Sequence, residues 1–125
     1  MNISCGIDII EIDRIKDSIE DIGEKFIKKV FTDKEIEYCE SKRMQKYQHY
    51  AGRFAAKEAA FKAVSARLND KYSVCWQDFE VVNDEQGKPK INLKNINTEN
   101  IESIDISISH CKLYATSNVV ILYKD

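Results

Sequence analysis

Proline and glycine are scarce in this sequence: proline occurs once and glycine four times among 125 residues. We find no internal repeat, linker or low-complexity segment, so the composition is not that of a fibrous or disordered protein. Hydrophobic residues make up 43% of the chain, which is enough to build a core. We therefore expect a single domain that spans residues 1–125.

An excess of charge of one sign is also lacking, because 19 basic residues are balanced by 21 acidic ones to a net charge of −2. This balance argues against bulk binding of nucleic acid. No apolar run is long enough to cross a bilayer and no secretory leader is recognisable, so we expect no membrane association.

The cysteines contain no CxxC pair, which excludes the ligand spacing of a zinc knuckle. They are Cys5, Cys39, Cys75 and Cys111. Without an export signal their thiols should stay reduced, and we expect a cytoplasmic protein. The chain is short for an enzyme that must enclose a large ligand, so an active site shared between subunits stays open.

A period of two at the start of the chain predicts a buried strand over residues 3–12. Asp8 is a carboxylate in this otherwise apolar strand, on the face opposite Ile3, Cys5, Ile7 and Ile9. Burying an unpaired charge is costly, so Asp8 requires a cation, a metal or several donors. In the alternative interpretation, it caps a neighbouring helix or pairs with an arginine.

Three helices are predicted next. Apolar residues at spacings of three and four predict an amphipathic helix over residues 13–29, with Asp13 as its N-cap. Thr32 and Glu35 have capping-box spacing, which predicts the start of a second, short helix. The third helix covers residues 47–68, and its many alanines and phenylalanines indicate burial on most sides.

The last part of the chain returns to a period of two. We predict strands over residues 74–82, 90–93, 104–109 and 114–123, with a polar turn at 83–89 and a tight turn at 111–113. Strands at both ends with helices between them favour an α+β fold, in which an antiparallel sheet packs against the long buried helix.

Glu58 and Lys62 lie four residues apart on the long helix and share one of its faces. Taken alone, they form an ordinary exposed ion pair, worth about 0.3–0.5 kcal/mol. Their apolar surroundings favour a second interpretation, in which both face a cleft. Two carboxylates from separate elements, Asp8 and Glu58, together with Lys62 are the groups that magnesium–phosphate chemistry uses.

Basic residues cluster in a stripe that no acid interrupts: Lys42, Arg43, Lys46, Arg53 and Lys57. The stripe leads directly into Glu58, which favours a phosphate-binding edge over a merely solvated face. His110 ends its strand, where its imidazole is either structural or a donor to a phosphate.

Three segments, taken in order, resemble the signatures of the holo-acyl carrier protein synthase family of phosphopantetheinyl transferases. They are GIDIIEIDRI at residues 6–15, GRFAAKEAAFKA at 52–63 and ISISH at 106–110, the last followed by Tyr114 and Ala115. WQDFEV and NDEQGKP occupy the places of the family's tryptophan-led strand and N..GKP turn. The resemblance covers nearly the whole chain.

The resemblance implies a 4′-phosphopantetheinyl transferase-like fold. It also implies transfer of 4′-phosphopantetheine from coenzyme A to a serine of apo acyl carrier protein in fatty acid biosynthesis, with adenosine 3′,5′-bisphosphate as the leaving group. Asp8 and Glu58 match the family's Mg²⁺ ligands, and Glu58 with Lys62 its catalytic pair. Positions that contact coenzyme A are matched by Arg53, Lys62, Asn83 and His110. The family is typically a homotrimer with sites between neighbouring subunits.

Two departures from the family pattern are visible. The segment after Lys62 lacks the usual glycine. The first helix is neutral, whereas in the family it is usually basic and docks the carrier protein.

Three alternatives stay open: a magnesium-dependent nuclease, a module that holds an acidic protein with the basic stripe, and a degenerate member that binds coenzyme A without transfer. The acidic balance disfavours the nuclease, because a polyanion needs basic residues.

Overall fold

Helices occupy the middle of the chain and strands its two ends. The structure, a computed structural model, describes residues 2–68 and 70–124, and only the backbone of residue 71. The helices are α1 (Ile12–Ile22), α2 (Glu24–Val30), α3 (Asp33–Glu40) and α4 (Lys46–Val64). The strands are β1 (Asn2–Glu11), β2 (Phe79–Asn83), β3 (Pro89–Leu93), β4 (Ile101–His110) and β5 (Tyr114–Tyr123).

Two antiparallel sheets form. β5 lies between β1 and β4 in the larger sheet, and β2 pairs with β3 in the smaller one. The register of β1 on β5 places Gly6 opposite Val119 and Asp8 opposite Ser117. The predicted α+β fold, with an antiparallel sheet against a long helix, is therefore confirmed.

The α4 helix is buried on most sides, as its composition predicts. Its buried residues include six alanines: Ala51, Ala55, Ala56, Ala59, Ala60 and Ala63. Small side chains allow the sheet to approach the helix closely. The helix ends at Val64 rather than at residue 68, because Ser65–Arg67 tightens into a 3₁₀ turn.

The face of β1 that we predicted to be buried is exposed, so that prediction is wrong. Ile3, Ile7 and Ile9 are 69%, 64% and 64% exposed. The physical reason is the position of α4, which packs against the opposite face, where Gly6 is buried. The apolar stripe Ile3, Cys5, Ile7 and Ile9 therefore lies on the outer face of the sheet.

The predicted helix over residues 13–29 is interrupted. Gly23, with φ of +79°, separates α1 from α2, and Ile22 is exposed as a result. Asp13 lies in the first turn and is not the N-cap, a position that Glu11 takes without a side-chain cap.

Two further local predictions have opposite outcomes. The capping box is confirmed, since Thr32 N–H donates to Glu35 Oε1 over 2.8 Å and Glu35 N–H donates to Thr32 Oγ1. The strand predicted from residue 74 begins only at Phe79, because Trp76–Asp78 forms a 3₁₀ turn. In the described part of the chain, no helix has the length and apolar character that a bilayer crossing requires.

Candidate active site

Asp8, Glu58 and Lys62 meet where β1 crosses α4. Lys62 Nζ lies 3.2 Å from Asp8 Oδ1 and donates to the Ile7 carbonyl over 2.9 Å. The Asp8 side chain is 17% exposed, whereas that of Lys62 is 53% exposed. A lysine has three N–H donors, so the third is free to bind an anion from solvent.

Gly6 makes this meeting possible. A Cβ at this position would lie 1.9 Å from the carbonyl oxygen of Ala59, closer than any side chain tolerates. The absence of a side chain therefore lets β1 lie directly on the backbone of α4. Asp8 follows Gly6 on the same face of the strand and is carried to the turn of α4 that bears Glu58 and Lys62.

The electrostatics of Glu58 reflect the nearby Asp8 carboxylate. Burial raises the pKa of Glu58, the negative charge of Asp8 raises it further, and the Lys62 ammonium offsets part of the rise. Like charges held together in this way favour a cation or a proton between them. The two carboxylates therefore outnumber the single Lys62 ammonium, and a further cation would be favourable at this site.

The donor set fits magnesium. Two carboxylates supply hard oxygen ligands, and Mg²⁺ is usually held by one or two protein carboxylates, with water and phosphate oxygens in its other positions. Within residues 2–68 and 70–124, no cluster of three or more histidine, cysteine, aspartate or glutamate side chains is arranged to bind a metal ion. The arrangement therefore suits a metal that a phosphate ligand shares, rather than an all-protein cage.

Arg53, Asn83 and His110 come together at a second place. They line a cavity of about 170 Å³ between α4, the β2–β3 turn and the end of β4. Arg53 precedes Glu58 by five residues, so it lies about 7.5 Å further along the helix axis. The predicted site residues thus form two groups, one around Asp8 and one around Arg53.

The Arg53 guanidinium is held tightly. It stacks over the Tyr38 ring with 3.8 Å between Cζ and the ring centroid, and Nη2 donates to Asn83 Oδ1. Asn83 Nδ2 in turn donates to the Gly87 carbonyl over 2.9 Å. Asn83 therefore positions Arg53 and the β2–β3 turn, because its amide oxygen accepts from Arg53 and its amide nitrogen donates to Gly87.

Sequence reasoning missed His49, which lines the same cavity. Its ring lies 5.8 Å from that of His110 and 5.6 Å from that of Tyr38, measured between centroids. The signal was available, because His49 precedes Arg53 by four residues and shares its helical face.

The basic stripe is not one surface. Lys57 is completely buried and pairs with Glu35 over 2.7 Å, and Arg53 is only 4% exposed. Lys42 and Arg43 remain exposed, and Lys46 is partly so. The continuous phosphate-binding edge that we expected is therefore replaced by the cavity around Arg53 and a separate buried ion pair.

A third feature adjoins Glu58. An apolar cavity of about 230 Å³ opens beside it, and it is lined by Lys57, Glu58, Phe61, Val74, Cys75, Trp76 and Phe79. The carboxylate of Glu58 thus lies at the border between a charged site and an apolar cavity.

Comparison with known proteins identifies the family to which the chain is similar. The family model of the 4′-phosphopantetheinyl transferase superfamily matches residues 4–120. A holo-[acyl-carrier-protein] synthase of Ruminiclostridium cellulolyticum is 45% identical over 130 residues, covering 100% of this chain and 96% of that protein. One of Solibacter usitatus is 40% identical over 126 residues, covering 97% and 98%.

The solved structures that the chain resembles are also holo-[acyl-carrier-protein] synthases. A Helicobacter pylori holo-[acyl-carrier-protein] synthase in complex with coenzyme A superposes with a TM-score of 0.81 at 30% identity, covering 94% of this chain and 99% of that one. A Bacillus anthracis holo-(acyl-carrier-protein) synthase in complex with CoA (3′,5′-ADP) gives 0.75 at 36% identity, covering 98% and 96%.

Proposed function

This chain belongs to the 4′-phosphopantetheinyl transferase superfamily, and we propose that it acts as a holo-[acyl-carrier-protein] synthase in fatty acid biosynthesis. It transfers the 4′-phosphopantetheine group of coenzyme A to a serine of apo acyl carrier protein and releases adenosine 3′,5′-bisphosphate. The observation that carries the proposal is the meeting of Asp8, Glu58 and Lys62 beside a cavity lined by Arg53 and His110.

The metal of this reaction is Mg²⁺, which Asp8 and Glu58 would hold and which would neutralise charge on the pyrophosphate oxygens. Without a cation, burial and then the negative charge of Asp8 raise the pKa of Glu58. The carboxylates therefore bind a divalent cation best when both are ionised.

Glu58 accepts the proton of the attacking serine. The serine hydroxyl oxygen forms a bond to the β-phosphorus of coenzyme A, and the bond between that phosphorus and the bridging oxygen breaks. With Mg²⁺ bound, the Glu58 carboxylate would be ionised and could accept a proton.

Lys62 stabilises the negative charge that develops during the transfer. Its ammonium is anchored by Asp8 and the Ile7 carbonyl, so its position is set before the substrate arrives. The exposed third donor is then available to a phosphate oxygen or to the leaving group.

Arg53 and His110 bind the nucleotide end of coenzyme A. Arg53 keeps a permanent charge in a cavity of limited size, and His110 adds a donor at the end of β4. Asn83 supports this end of the site by holding the Arg53 guanidinium, and it contacts the nucleotide at the edge of the same cavity.

The active oligomer is a homotrimer with sites between neighbouring subunits. The exposed face of β1 supports this proposal, because Ile3, Ile7 and Ile9 form an apolar stripe that a monomer leaves in water. If the stripe is buried against a neighbouring subunit, residues of that subunit would also help to enclose the active site, which one short chain leaves open.

The acyl carrier protein is the protein partner. Acidic residues offset the basic ones in α1 and α2, so carrier docking relies on individual basic residues such as Arg14, Lys28 and Lys29. The reaction takes place in the cytoplasm, a location that suits the free thiols of all four cysteines.

Mass spectrometry of apo acyl carrier protein, incubated with this protein, coenzyme A and magnesium, tests the function. We expect a gain of one phosphopantetheine that a chelator prevents and that Asp8→Asn abolishes. Asp13→Asn, which removes an exposed carboxylate of α1, is the matched control and should react normally. No gain with several different carriers, from a folded protein, would rule the proposal out.

A further inference from the structure

The cavity around Arg53 is built for an anion. Its polar lining consists of basic, neutral and aromatic groups: Tyr38, Gln48, His49, Arg53, Asn83 and His110. No carboxylate of the described residues lines it, although acidic residues are common elsewhere in the chain. A negatively charged group that enters this cavity therefore meets no like charge on its walls.

One donor of the Arg53 side chain is unpaired. The side chain of Arg53 is almost fully buried, yet its Nε has no hydrogen-bond partner among the described residues. An unpaired donor of a buried charged group is costly, so such a group usually awaits a ligand or water. The Arg53 guanidinium therefore keeps its positive charge at the cavity with one donor that no described residue satisfies.

Two imidazoles face the same space. His49 on α4 and His110 at the end of β4 approach with their centroids 5.8 Å apart and their planes inclined by 66°. The Tyr38 ring packs edge-on against His49 and limits its movement. A phosphate that enters the cavity beside the two rings could accept hydrogen bonds from both imidazoles and from Arg53.

We propose that His49 is a further binding residue for the 3′-phosphate of coenzyme A, and that it takes up a proton when this phosphate binds. The inference rests on the proposed function, which brings a nucleotide with a 3′-phosphate to this cavity. It adds a third residue to Arg53 and His110 at this place, and it adds a proton-linked step at His49.

The charges around His49 explain why a proton is taken up on binding. Burial lowers the pKa of His49. Its pKa is lowered further by three groups from separate parts of the chain: Lys42, His110 and Arg53. Tyr38 is the other titratable group that packs against it. His49 is therefore neutral in the free protein near pH 7, and a phosphate dianion would offset these positive charges and favour the imidazolium.

Proton NMR of the intact protein tests the proposal, because the chain contains only two histidines. Their ring resonances are titrated from about pH 5 to pH 8, free and saturated with adenosine 3′,5′-bisphosphate or adenosine 5′-monophosphate. The variants His49→Gln and His110→Gln each leave one imidazole and assign the two signals. We expect the 3′-phosphate to raise the pKa of His49, and the nucleotide without it to leave that pKa unchanged.

Binding of the same two nucleotides gives a second readout. At about pH 6, His49→Gln should weaken binding of adenosine 3′,5′-bisphosphate roughly tenfold, as expected for one charged hydrogen bond. Binding of adenosine 5′-monophosphate should be unchanged, and the effect on the bisphosphate should shrink at about pH 8, where the free imidazole is neutral.

The inference and the proposed function can fail separately. If adenosine 3′,5′-bisphosphate saturates the protein and the pKa of His49 does not move, the role of His49 is refuted while nucleotide binding stands. If the bisphosphate does not bind at all, both are refuted. If it binds with the expected pKa rise but no carrier protein is modified, only the transferase activity is refuted.

Discussion

Lys57 Nζ lies 2.7 Å from Glu35 Oε1, and both side chains are completely buried. Every strong polar group of the pair is used. Glu35 also accepts hydrogen bonds from the backbone N–H groups of Thr32 and Val81, and Lys57 donates to the carbonyls of Trp76 and Phe79. The pair therefore joins α3, α4 and the start of β2, and it fixes the helix that carries the site.

Breaking this pair should destabilise the fold strongly. Lys57→Met leaves the Glu35 carboxylate buried without its counter-charge, which typically costs about 3–5 kcal/mol of the free energy of unfolding. Urea denaturation measures the loss. Lys46→Met is the matched control, because it removes a partly exposed partner of Glu40 and should cost less than about 1 kcal/mol. Equal, small losses in both variants would show that the buried pair is not structural.

Gly6→Ala should disconnect Asp8 from the helix. The added methyl group collides with the Ala59 carbonyl, so β1 must move away from α4. We expect both a lower melting temperature and loss of magnesium-dependent transfer, measured by thermal denaturation and carrier mass spectrometry. Asn2→Ala alters an exposed residue at the start of the same strand and should keep the melting temperature of the wild type. A fully active Gly6→Ala protein would contradict the close approach.

Local sequence patterns predicted most helices and strands well, because the residues that determine each element lie within a few positions of one another. The capping box of Thr32 and Glu35 and the alternation of β4 and β5 are of this kind. The exposed face of β1 was mispredicted, because alternation identifies two faces but not which one the helix covers. That choice depends on Gly6 and on α4, more than forty residues away.

The candidate site was also predicted only in part, because some of its residues are marked by their type and others only by contacts between distant parts of the chain. Asp8, Glu58 and Lys62 were identified by type and by resemblance, and the structure brings them together. The Glu35–Lys57 pair was missed, since its two residues lie 22 positions apart on different helices and no local pattern marks a lysine as buried. His49 was missed because a single histidine on a helix has many structural explanations.

Glu58→Gln should stabilise the metal-free protein at neutral pH while abolishing transfer. The pKa of Glu58 is raised in the folded state, so the folded protein binds more protons than the unfolded chain. Stability therefore falls as the pH rises from the unfolded value of about 4.5 through the higher folded pKa. Glu58→Gln removes the cost of ionising the buried carboxylate, so the variant should be more stable than the wild type at a pH above the folded pKa of Glu58. At a pH below about 4.5 the wild-type carboxyl is protonated as well, so the two proteins should be equally stable.

Thermal denaturation at pH 7 and pH 4, with a chelator present, measures the effect of Glu58→Gln. Glu37→Gln, on the exposed side of α3, is the control and should not change the melting temperature. If Glu58→Gln lowers the melting temperature at pH 7, the carboxylate is stabilised in the free protein and the raised pKa is wrong.

Lys62→Ala should lower turnover far more than it weakens coenzyme A binding. Its ammonium is half exposed and acts mainly on charge that develops in the transition state, so the ground state loses little. Steady-state kinetics should show a fall in kcat of about 10²–10³, with calorimetry showing a small change in Kd. The matched control is Lys34→Ala, an exposed lysine of α3 outside the site. A large rise in Kd with unchanged kcat would instead identify Lys62 as a simple binding residue.

Ile7→Asp should convert the proposed homotrimer into monomers without unfolding the chain. Ile7 lies in the middle of the exposed apolar stripe of β1, and a buried unpaired carboxylate is poorly tolerated at an interface. Light scattering after size-exclusion chromatography gives the mass, and circular dichroism reports folding. Ile22→Asp is the matched control, since Ile22 is equally apolar and 57% exposed but lies on α1, away from the stripe. A trimer that survives Ile7→Asp, or a wild-type monomer, would show that this stripe does not join subunits.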